Sequence, residues 1–410
     1  MSKLNYFSFS NMTAGFVAVM VGFTSSAVLV FQAAATAGAS PAEISSWLFA
    51  LGMSMAITCI SLSLYYRLPI LTGWSTPGAA LLVTSLSGVA MPEAIGAFIF
   101  AAFLTILTGI TGLFEKVIAH IPRALTSAML AGILIHFGMN IFVAMQDQLL
   151  LISGMLICYL MGKRFFPRYV ILFVLLVGIL IAEGQGLFHI ENLHMTLATP
   201  IFTHPVFSLA TLISVGIPLF IVTMTSQNIP GIAVLNASGY HPPISPVISF
   251  TGFINFILAP FGSYSISLAA LTAAICSSKE ADVNPNLRYK STIFAGICWF
   301  FIGIFGATVV TLFFAFPKEL VLAIAGLALL STIGNSLKIA LDSEAQREPA
   351  LITILISASG FTLFGIGAAF WGLIAGIASS MILNWGKQEP TALAKSAISL
   401  MGSVENSRNV

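Results

Sequence analysis

Long apolar runs, separated by short polar breaks, dominate this chain. A helix that crosses a bilayer needs about 20 mostly apolar residues. With charges, prolines and glycines as punctuation, the pattern predicts an all-α polytopic membrane protein with fourteen transmembrane segments. The segments cover approximately residues 11–36, 43–66, 69–88, 92–114, 118–141, 145–162, 168–183, 206–236, 243–258, 260–278, 290–316, 318–341, 349–366 and 367–386.

The composition argues against a soluble domain and narrows the function classes. Hydrophobic residues make up 58% of the chain and charged residues only 7%, with a mean hydropathy of +1.01, whereas soluble domains carry about 25% charged residues. A net charge of +2 gives no reason to expect a nucleic-acid partner. The four cysteines lie in apolar runs without metal-ligand spacing, and no catalytic motif occurs in a suitable place. We therefore expect neither an enzyme nor a bound metal or cofactor.

The basic residues orient the segments. If the N-terminus is cytoplasmic, all 16 Lys and Arg residues except Lys318 fall at cytoplasmic ends or loops, as the positive-inside rule expects. An omitted segment would reverse every later loop, so this pattern supports the count of fourteen. Both termini are then cytoplasmic, and residues 387–410 form a cytoplasmic tail.

A weak internal repeat relates the two halves of the chain. IPRAL at 121–125 recurs as FPKEL at 316–320, and Asn140 and Asn335 follow these motifs at the same spacing. Each match alone is weak, but together they keep the same order at an offset of about 195 residues. The order of the matches therefore predicts a true repeat.

The repeat predicts two inverted halves, residues 1–190 and 206–386. Because each half holds seven segments, an odd number, the second copy must be inverted. Gln32 and Gln227 end corresponding stretches of segments 1 and 8. Inverted repeats with interrupted helices in matching positions are typical of secondary transporters, whose binding site lies between the repeats.

Segments 3 and 10 are the interrupted pair. PILTGWSTPGAALLVTSL at 69–86 and APFGSYSISLAALTAAICSS at 259–278 both place Pro, Gly and hydroxyl residues before a short helix. The residues ahead of each short helix are expected to be extended, which membrane depth tolerates only against protein or a wet cavity. Each short helix then begins near mid-membrane with its positive dipole end toward the cavity, an arrangement that favours an anion.

The candidate binding residues lie in or near these breaks and in TMTSQNIPG at 223–231. Ser75 or Thr76 is expected to cap the first short helix, and Ser263 or Ser265 the second. Small residues that only permit close helix packing are the alternative for these breaks, and a hydrogen bond between helices is the alternative for Asn228. The candidate substrate-binding set is Gln227, Asn228, Tyr264, Ser265, Ser263, Ser75, Thr76, Trp74, Gln32 and Phe31.

A proton-carrying group is harder to assign. His136 is the one histidine that falls well inside a predicted segment, and histidine is the side chain that changes charge near neutral pH. It is therefore the proton-coupling candidate. A neutral histidine that bonds a neighbouring carbonyl is the equal alternative.

GWSTPGAALL at 73–82, TSQNIPGIAVLNASGY at 225–240 and FGSYSISLAALTAAIC at 261–276 resemble motifs of the BenE family of benzoate/proton symporters. The resemblance covers essentially the whole chain. It implies import of benzoate or a related aromatic carboxylate with a proton across a bacterial inner membrane. The wider fold resembles the uracil-permease and sulfate/bicarbonate transporter architecture. This implies a core domain of segments 1–4 and 8–11, a gate domain of segments 5–7 and 12–14, and short strands before the half-helices of segments 3 and 10.

The chain departs from the nucleobase carriers at two positions. Their acidic residues would fall near Gln227 and Tyr264, and this chain has neither acid, which suits an anionic solute. We therefore predict a secondary active transporter that imports an aromatic carboxylate with a proton by elevator-like alternating access. A passive anion channel or exchanger on the same fold and a nucleobase-type permease are the alternatives. The expected partners are the carboxylate anion, the proton and the lipid bilayer. The sequence leaves the oligomeric state open, although related folds often form homodimers through the gate domain.

Overall fold

The structure, a computed structural model, describes residues 6–112, 122–167, 169–187, 196–269, 271–361, 363 and 368–384. The predicted tail at 387–410 lies outside the described residues. The helices and strands are α1 (Phe9–Thr36), α2 (Pro41–Tyr66), β1 (Thr72–Trp74), α3 (Thr76–Ser85), α4 (Met91–Ile110), α5 (Arg123–Asp147), α6 (Leu149–Phe165), α7 (Val170–Gly184), α8 (Leu209–Ala237), α9 (Ile244–Leu258), β2 (Ile266–Leu268), α10 (Leu271–Ser277), α11 (Tyr289–Ile304), α12 (Gly306–Ala315), α13 (Lys318–Asp342), α14 (Arg347–Ala358) and α15 (Ala368–Leu383).

The chain is a polytopic membrane protein. Within the described ranges, eight helices are long and apolar enough to cross a bilayer. They are α1, α2, α4, α5, α8, α13, α9 with the short 3₁₀ turn that follows it, and α11 with the 3₁₀ turn that precedes it. The helices α7 and α15 are apolar but shorter. The count of fourteen crossings and the inverted repeat stay predictions.

The predicted bounds were wrong for three segments. The helix of segment 13, predicted over 349–366, ends at Ala358, because Gly360 follows with a positive φ of +67°. The helix α5 runs on to Asp147, past the predicted end at 141, because residues 141–147 contain neither proline nor glycine to stop it. Segment 11, predicted as one helix over 290–316, is divided into α11 and α12 at Phe305. Glycine lies close on both sides of Phe305, and glycine weakens a helix interior.

The strands expected in segments 3 and 10 are present and pair with each other. The strands β1 and β2 are antiparallel, with Gly73 opposite Ser267. Backbone hydrogen bonds from Ser75 to Ser265 and from Ala269 to Leu71, each 2.9 Å long, continue the ladder at both ends. The ladder therefore gives partners to polar backbone groups that the protein interior would otherwise leave unpaired.

The helices fall into two groups by their contacts. In one group α2 packs along α11, α4 along α9, and α1 along α3, α10 and α11, while α8 contacts α3, α4, α10 and β2. In the other α5 packs along α13 and α14, and α6 along α7. Glycines bring the backbones of the first group close, since a Cβ atom on Gly52 would lie 2.7 Å from the Cα atom of Gly303. We call these the strand-bearing group and the α5–α13 group.

Candidate functional site

A cavity of about 540 Å³ lies beside the two strands, between the two helix groups. We call it the central cavity. Its walls come from α1, β1, the start of α3, α5, α8, α10, α11 and α13. Its lining includes Gly22, Ser25, Ser26, Trp74, Thr76, Pro77, Ser127, Thr225, Ser226, Gln227, Thr272, Trp299, Ala328, Thr332, Asn335 and Lys338.

The helix α3 begins at the wall of the central cavity. Ser75 is its N-cap, and its Oγ accepts a hydrogen bond from the Gly78 backbone N–H at 3.0 Å, so the predicted cap is confirmed for Ser75. Thr76 and Pro77, the first helical residues, line the cavity. The positive end of the helix dipole therefore points toward the solute space, while Ser75 itself is fully buried.

Two tryptophans form an aromatic wall. The rings of Trp74 and Trp299 have centroids 5.0 Å apart and cross at 61°. The Trp74 Nε1–H group donates to Ser26 Oγ at 2.8 Å, which fixes the ring. Trp74 was among the predicted site residues, whereas Trp299 was missed because the apolar run around it, AGICWFFIG at 295–303, is typical of an ordinary membrane helix.

The helix α8 presents a polar turn to the central cavity. Residues Met224–Asn228 form a π-helical turn, a rare geometry that is frequent at functional sites. Pro230 follows two residues later, and its missing N–H interrupts the helical ladder there. Gln227 lines the cavity half-buried, and among the described residues none hydrogen-bonds its side-chain amide. That amide is free to bind a solute.

Asn228, the next residue, faces away from the central cavity. It is fully buried, and its Oδ1 accepts a hydrogen bond from the Leu268 backbone N–H at 2.9 Å. One turn later Gly231 allows close approach, because a Cβ atom there would lie 2.6 Å from Leu268 Cβ. Asn228 therefore joins α8 to the edge of β2, in line with the structural alternative weighed from the sequence.

Tyr264 lies outside the described lining of the central cavity. Its side chain is fully buried, and its ring centroid lies 6.1 Å from that of Phe98 and 6.4 Å from that of Trp47. Its hydroxyl donates a long hydrogen bond of 3.4 Å to the Ser75 carbonyl. The structure thus places Tyr264 behind the start of α3, where it packs against the helix cap.

Ser263 and Ser265 also lie outside the lining. Ser263 Oγ donates to Asn255 Oδ1 at 2.7 Å, and Ser265 Oγ lies 2.7 Å from Thr223 Oγ1. The expectation that one of them caps the second short helix was wrong. That helix, α10, begins only at Leu271, because β2 lies between the serines and the helix.

A separate cavity of about 430 Å³ lies where α1 and α3 meet α5, and we call it the distal cavity. Gln32, His136 and Asn140 line it. A hydrogen bond joins His136 Nε2 and the Ala358 carbonyl. Phe31 does not line either cavity among the described residues; it is buried with its ring centroid 4.6 Å from that of Phe313.

The charges around the central cavity favour an anion. Lys338 is the only ionisable residue in its described lining, and the lining holds no Asp or Glu. Sequence reasoning used Lys338 for orientation and missed its place at the cavity. No cluster of His, Cys, Asp and Glu suited to a metal ion occurs within the described ranges.

Comparison with known proteins identifies the protein family that this chain matches. A family model described as "Benzoate membrane transport protein" matches residues 5–382. The chain is 47% identical over 371 residues to "Inner membrane protein YdcO" of Escherichia coli (strain K12), covering 90% of this chain and 95% of that protein. It is 39% identical over 376 residues to "Benzoate membrane transport protein" of Acinetobacter baylyi (strain ATCC 33305 / BD413 / ADP1), with coverages of 92% and 95%.

Solved structures show the same fold at low identity. The transmembrane domain of a cyanobacterium bicarbonate transporter, BicA, matches with a TM-score of 0.58 and 13% identity, covering 90% of this chain and 97% of that one. The overall structure of SLC26A9 matches with a TM-score of 0.61 and 15% identity, covering 93% of this chain and 66% of that one. At these sequence identities the similarity shows only that the fold is shared.

Proposed function

We propose that this chain, which belongs to the benzoate membrane transport protein family, imports an aromatic carboxylate with a proton across a bacterial inner membrane. One observation carries the proposal: the central cavity joins a helix start, a free amide and two tryptophans, and its described lining contains no Asp or Glu. The Acinetobacter relative, named a benzoate membrane transport protein, supports the substrate class.

The two ends of the solute meet different parts of the cavity. The carboxylate lies toward the start of α3, where Thr76 and the Gln227 amide are able to donate hydrogen bonds. The ring lies against Trp74 and Trp299, whose faces and edges suit aromatic contact. A carboxylate in place of Gln227 would repel this anion, which argues against the nucleobase-type alternative.

The distribution of the cavity walls over the two helix groups supports an alternating-access mechanism. Trp74, Gln227 and Trp299 belong to the strand-bearing group, while Thr332 and Asn335 on α13 form the opposite wall. We assign these groups to the core and gate domains of an elevator-like transporter with fourteen segments in two inverted repeats. With both termini cytoplasmic, the central cavity lies on the cytoplasmic side and the distal cavity on the outer side. We place a second copy of the chain, if one binds, against the gate domain.

The repeat supports this assignment. Gln32 and Asn140 line the distal cavity, and their repeat partners Gln227 and Asn335 line the central cavity. In transporters built from inverted repeats, matching residues of the two copies line the cavities that open on opposite sides of the membrane. The two cavities are thus counterparts on opposite sides of the barrier between the groups.

Proton coupling has a simple electrostatic reason. An inside-negative potential opposes entry of a monovalent anion by about 2.3 kcal/mol per 100 mV. One proton carried with the anion cancels its charge, so the pH gradient becomes able to drive uptake.

We expect purified protein in liposomes to accumulate labelled benzoate when the outside is more acidic than the lumen. Protein-free liposomes at the same gradient are the control, because neutral benzoic acid crosses lipid unaided. Accumulation that ignores the pH gradient but generates current would point instead to the passive anion channel or exchanger. Failure of benzoate to bind or move at any gradient would refute the proposed substrate class.

His136 stays the proton-coupling proposal. We expect His136→Gln to lose gradient-driven accumulation while retaining benzoate exchange at equal pH, because glutamine still donates to the Ala358 carbonyl but does not titrate. His241→Gln is the matched control, since His241 pairs with Asn236 and lines neither cavity among the described residues. Full pH-driven accumulation by His136→Gln would remove this histidine from the mechanism.

A further inference from the structure

A third cavity, of about 470 Å³, adjoins the central cavity. It lies between the first half of α1, the end of α6, the start of α7 and the middle of α13, and we call it the side cavity. Ser25, Thr272, Ala328 and Thr332 line both it and the central cavity. Because these four residues are common to both linings, the two cavities adjoin at this point.

The side cavity is lined by an ammonium group, that of Lys163, which has no acidic partner in the described lining. Lys163 Nζ donates to Ser331 Oγ at 2.8 Å and lies 5.8 Å from the Tyr159 ring centroid. Among the described residues that line the cavity there is no Asp or Glu. Lys163 is exposed, so water also reaches its charge. Its partners in the described lining are a hydroxyl and an aromatic face, both weaker than a carboxylate.

The remaining walls are mostly apolar. Phe16, Met20 and Leu172 face the same space as Lys163. A solute with a carboxylate at one end and an apolar ring at the other matches this division, because a charge-assisted hydrogen bond and ring burial are satisfied together. An inorganic anion would leave the apolar walls without contact, and a purely apolar solute would leave the ammonium without an anionic partner.

We infer that the side cavity is a second binding subsite for the aromatic carboxylate, with Lys163 and Ser331 holding the carboxylate. The inference rests on the proposed function. Lys163 on α6 and Ser331 on α13 both belong to the α5–α13 group, whereas Gln227 and Trp74 belong to the strand-bearing group. The subsite therefore receives the solute on the group of helices opposite the one that binds it first.

A photoreactive benzoate bearing a diazirine tests this subsite. We expect wild-type protein in nanodiscs of neutral lipid to be labelled on peptides spanning 159–172 and 327–332 as well as on the α8 peptide that contains Gln227. Lys163→Gln should lower the label on 159–172 about tenfold relative to the α8 label, the loss of one charge-assisted contact. Lys163→Arg should retain it. Arg164→Gln, which removes a neighbouring cation that packs over Phe165, should leave both labels unchanged.

The possible outcomes distinguish failure of the subsite inference from failure of the proposed function. Label confined to α8 in the wild type would overturn the subsite while the proposed function stands. Loss of the 159–172 label when phosphatidylglycerol replaces part of the neutral lipid would assign the cavity to a lipid headgroup and also overturn the inference. Absence of label on every peptide, together with absence of benzoate uptake, would refute the proposed function itself.

Discussion

Gln227→Ala is expected to weaken benzoate binding about 10- to 100-fold and to leave the folded protein intact. A hydrogen bond to a charged group contributes about 1.5–3 kcal/mol, and each 1.4 kcal/mol corresponds to about tenfold in affinity. The amide of Gln227 bonds none of the described residues, so its removal leaves no buried group without a partner. Equilibrium binding of labelled benzoate in detergent measures the loss, and a thermal melt measures integrity.

Asn228→Ala is the matched control. It removes the neighbouring amide, but the expected effect is a loss of stability, whereas Gln227→Ala is expected to weaken binding. Asn228 accepts from the Leu268 backbone N–H in a fully buried place. Its removal leaves that N–H without an acceptor, at a cost of about 1–3 kcal/mol, so the melting temperature should fall. If Gln227→Ala binds benzoate like wild type, the carboxylate is held elsewhere. If Asn228→Ala melts like wild type, the β2 edge does not depend on it.

Gly262→Ala is expected to prevent accumulation of folded protein. Gly262 has φ +104°, and a Cβ atom there would lie 2.0 Å from Trp47 Cδ1. An unfavourable backbone region costs about 1–3 kcal/mol, and overpacking costs a similar amount. Together these approach the net stability of a typical domain, about 5–15 kcal/mol. Fluorescence-detected size-exclusion chromatography before and after heating measures the folded fraction.

Gly239→Ala separates the cost of the backbone conformation from the cost of overpacking. Gly239 also has a positive φ, of +84°, but a Cβ atom at this residue meets nothing within 4 Å. We therefore expect a modest fall in melting temperature with normal yield. Equal behaviour of the two variants would show that the contact with Trp47 does not constrain the loop before β2.

The sequence predicted the irregular parts of this fold better than its helix ends. Pro, Gly and hydroxyl residues in segments 3 and 10 indicated extended backbone at membrane depth, and β1 and β2 are there. The polar turn of segment 8 indicated a site, and Gln227 lines the central cavity. The end of α5 at Asp147 was missed, since a polar residue in an otherwise helical run does not stop a helix.

The sequence did not predict the direction in which each side chain points, and this limited the prediction of the site. Neighbouring residues on a helix point about 100° apart, so Gln227 and Asn228 were both candidates although only one faces the cavity. Tyr264 lies in irregular backbone, where no periodicity gives a direction, and it faces Trp47 and Phe98. Trp299 and Lys338 reach the cavity from helices that are distant in sequence, and only their packing reveals them.

The central cavity has one wall on each helix group, and this has a consequence for inhibitor chemistry. In the proposed binding mode, benzoate contacts Trp74, Trp299, Gln227 and the start of α3, all in the strand-bearing group. We expect an analogue extended from the ring carbon opposite the carboxylate to contact also Thr332 and Asn335, which line the opposite wall on α13. A compound that binds both walls at once would oppose the movement of one helix group relative to the other. We therefore expect it to bind the protein without being transported. Extension at that carbon therefore offers a route from substrate to state-selective blocker.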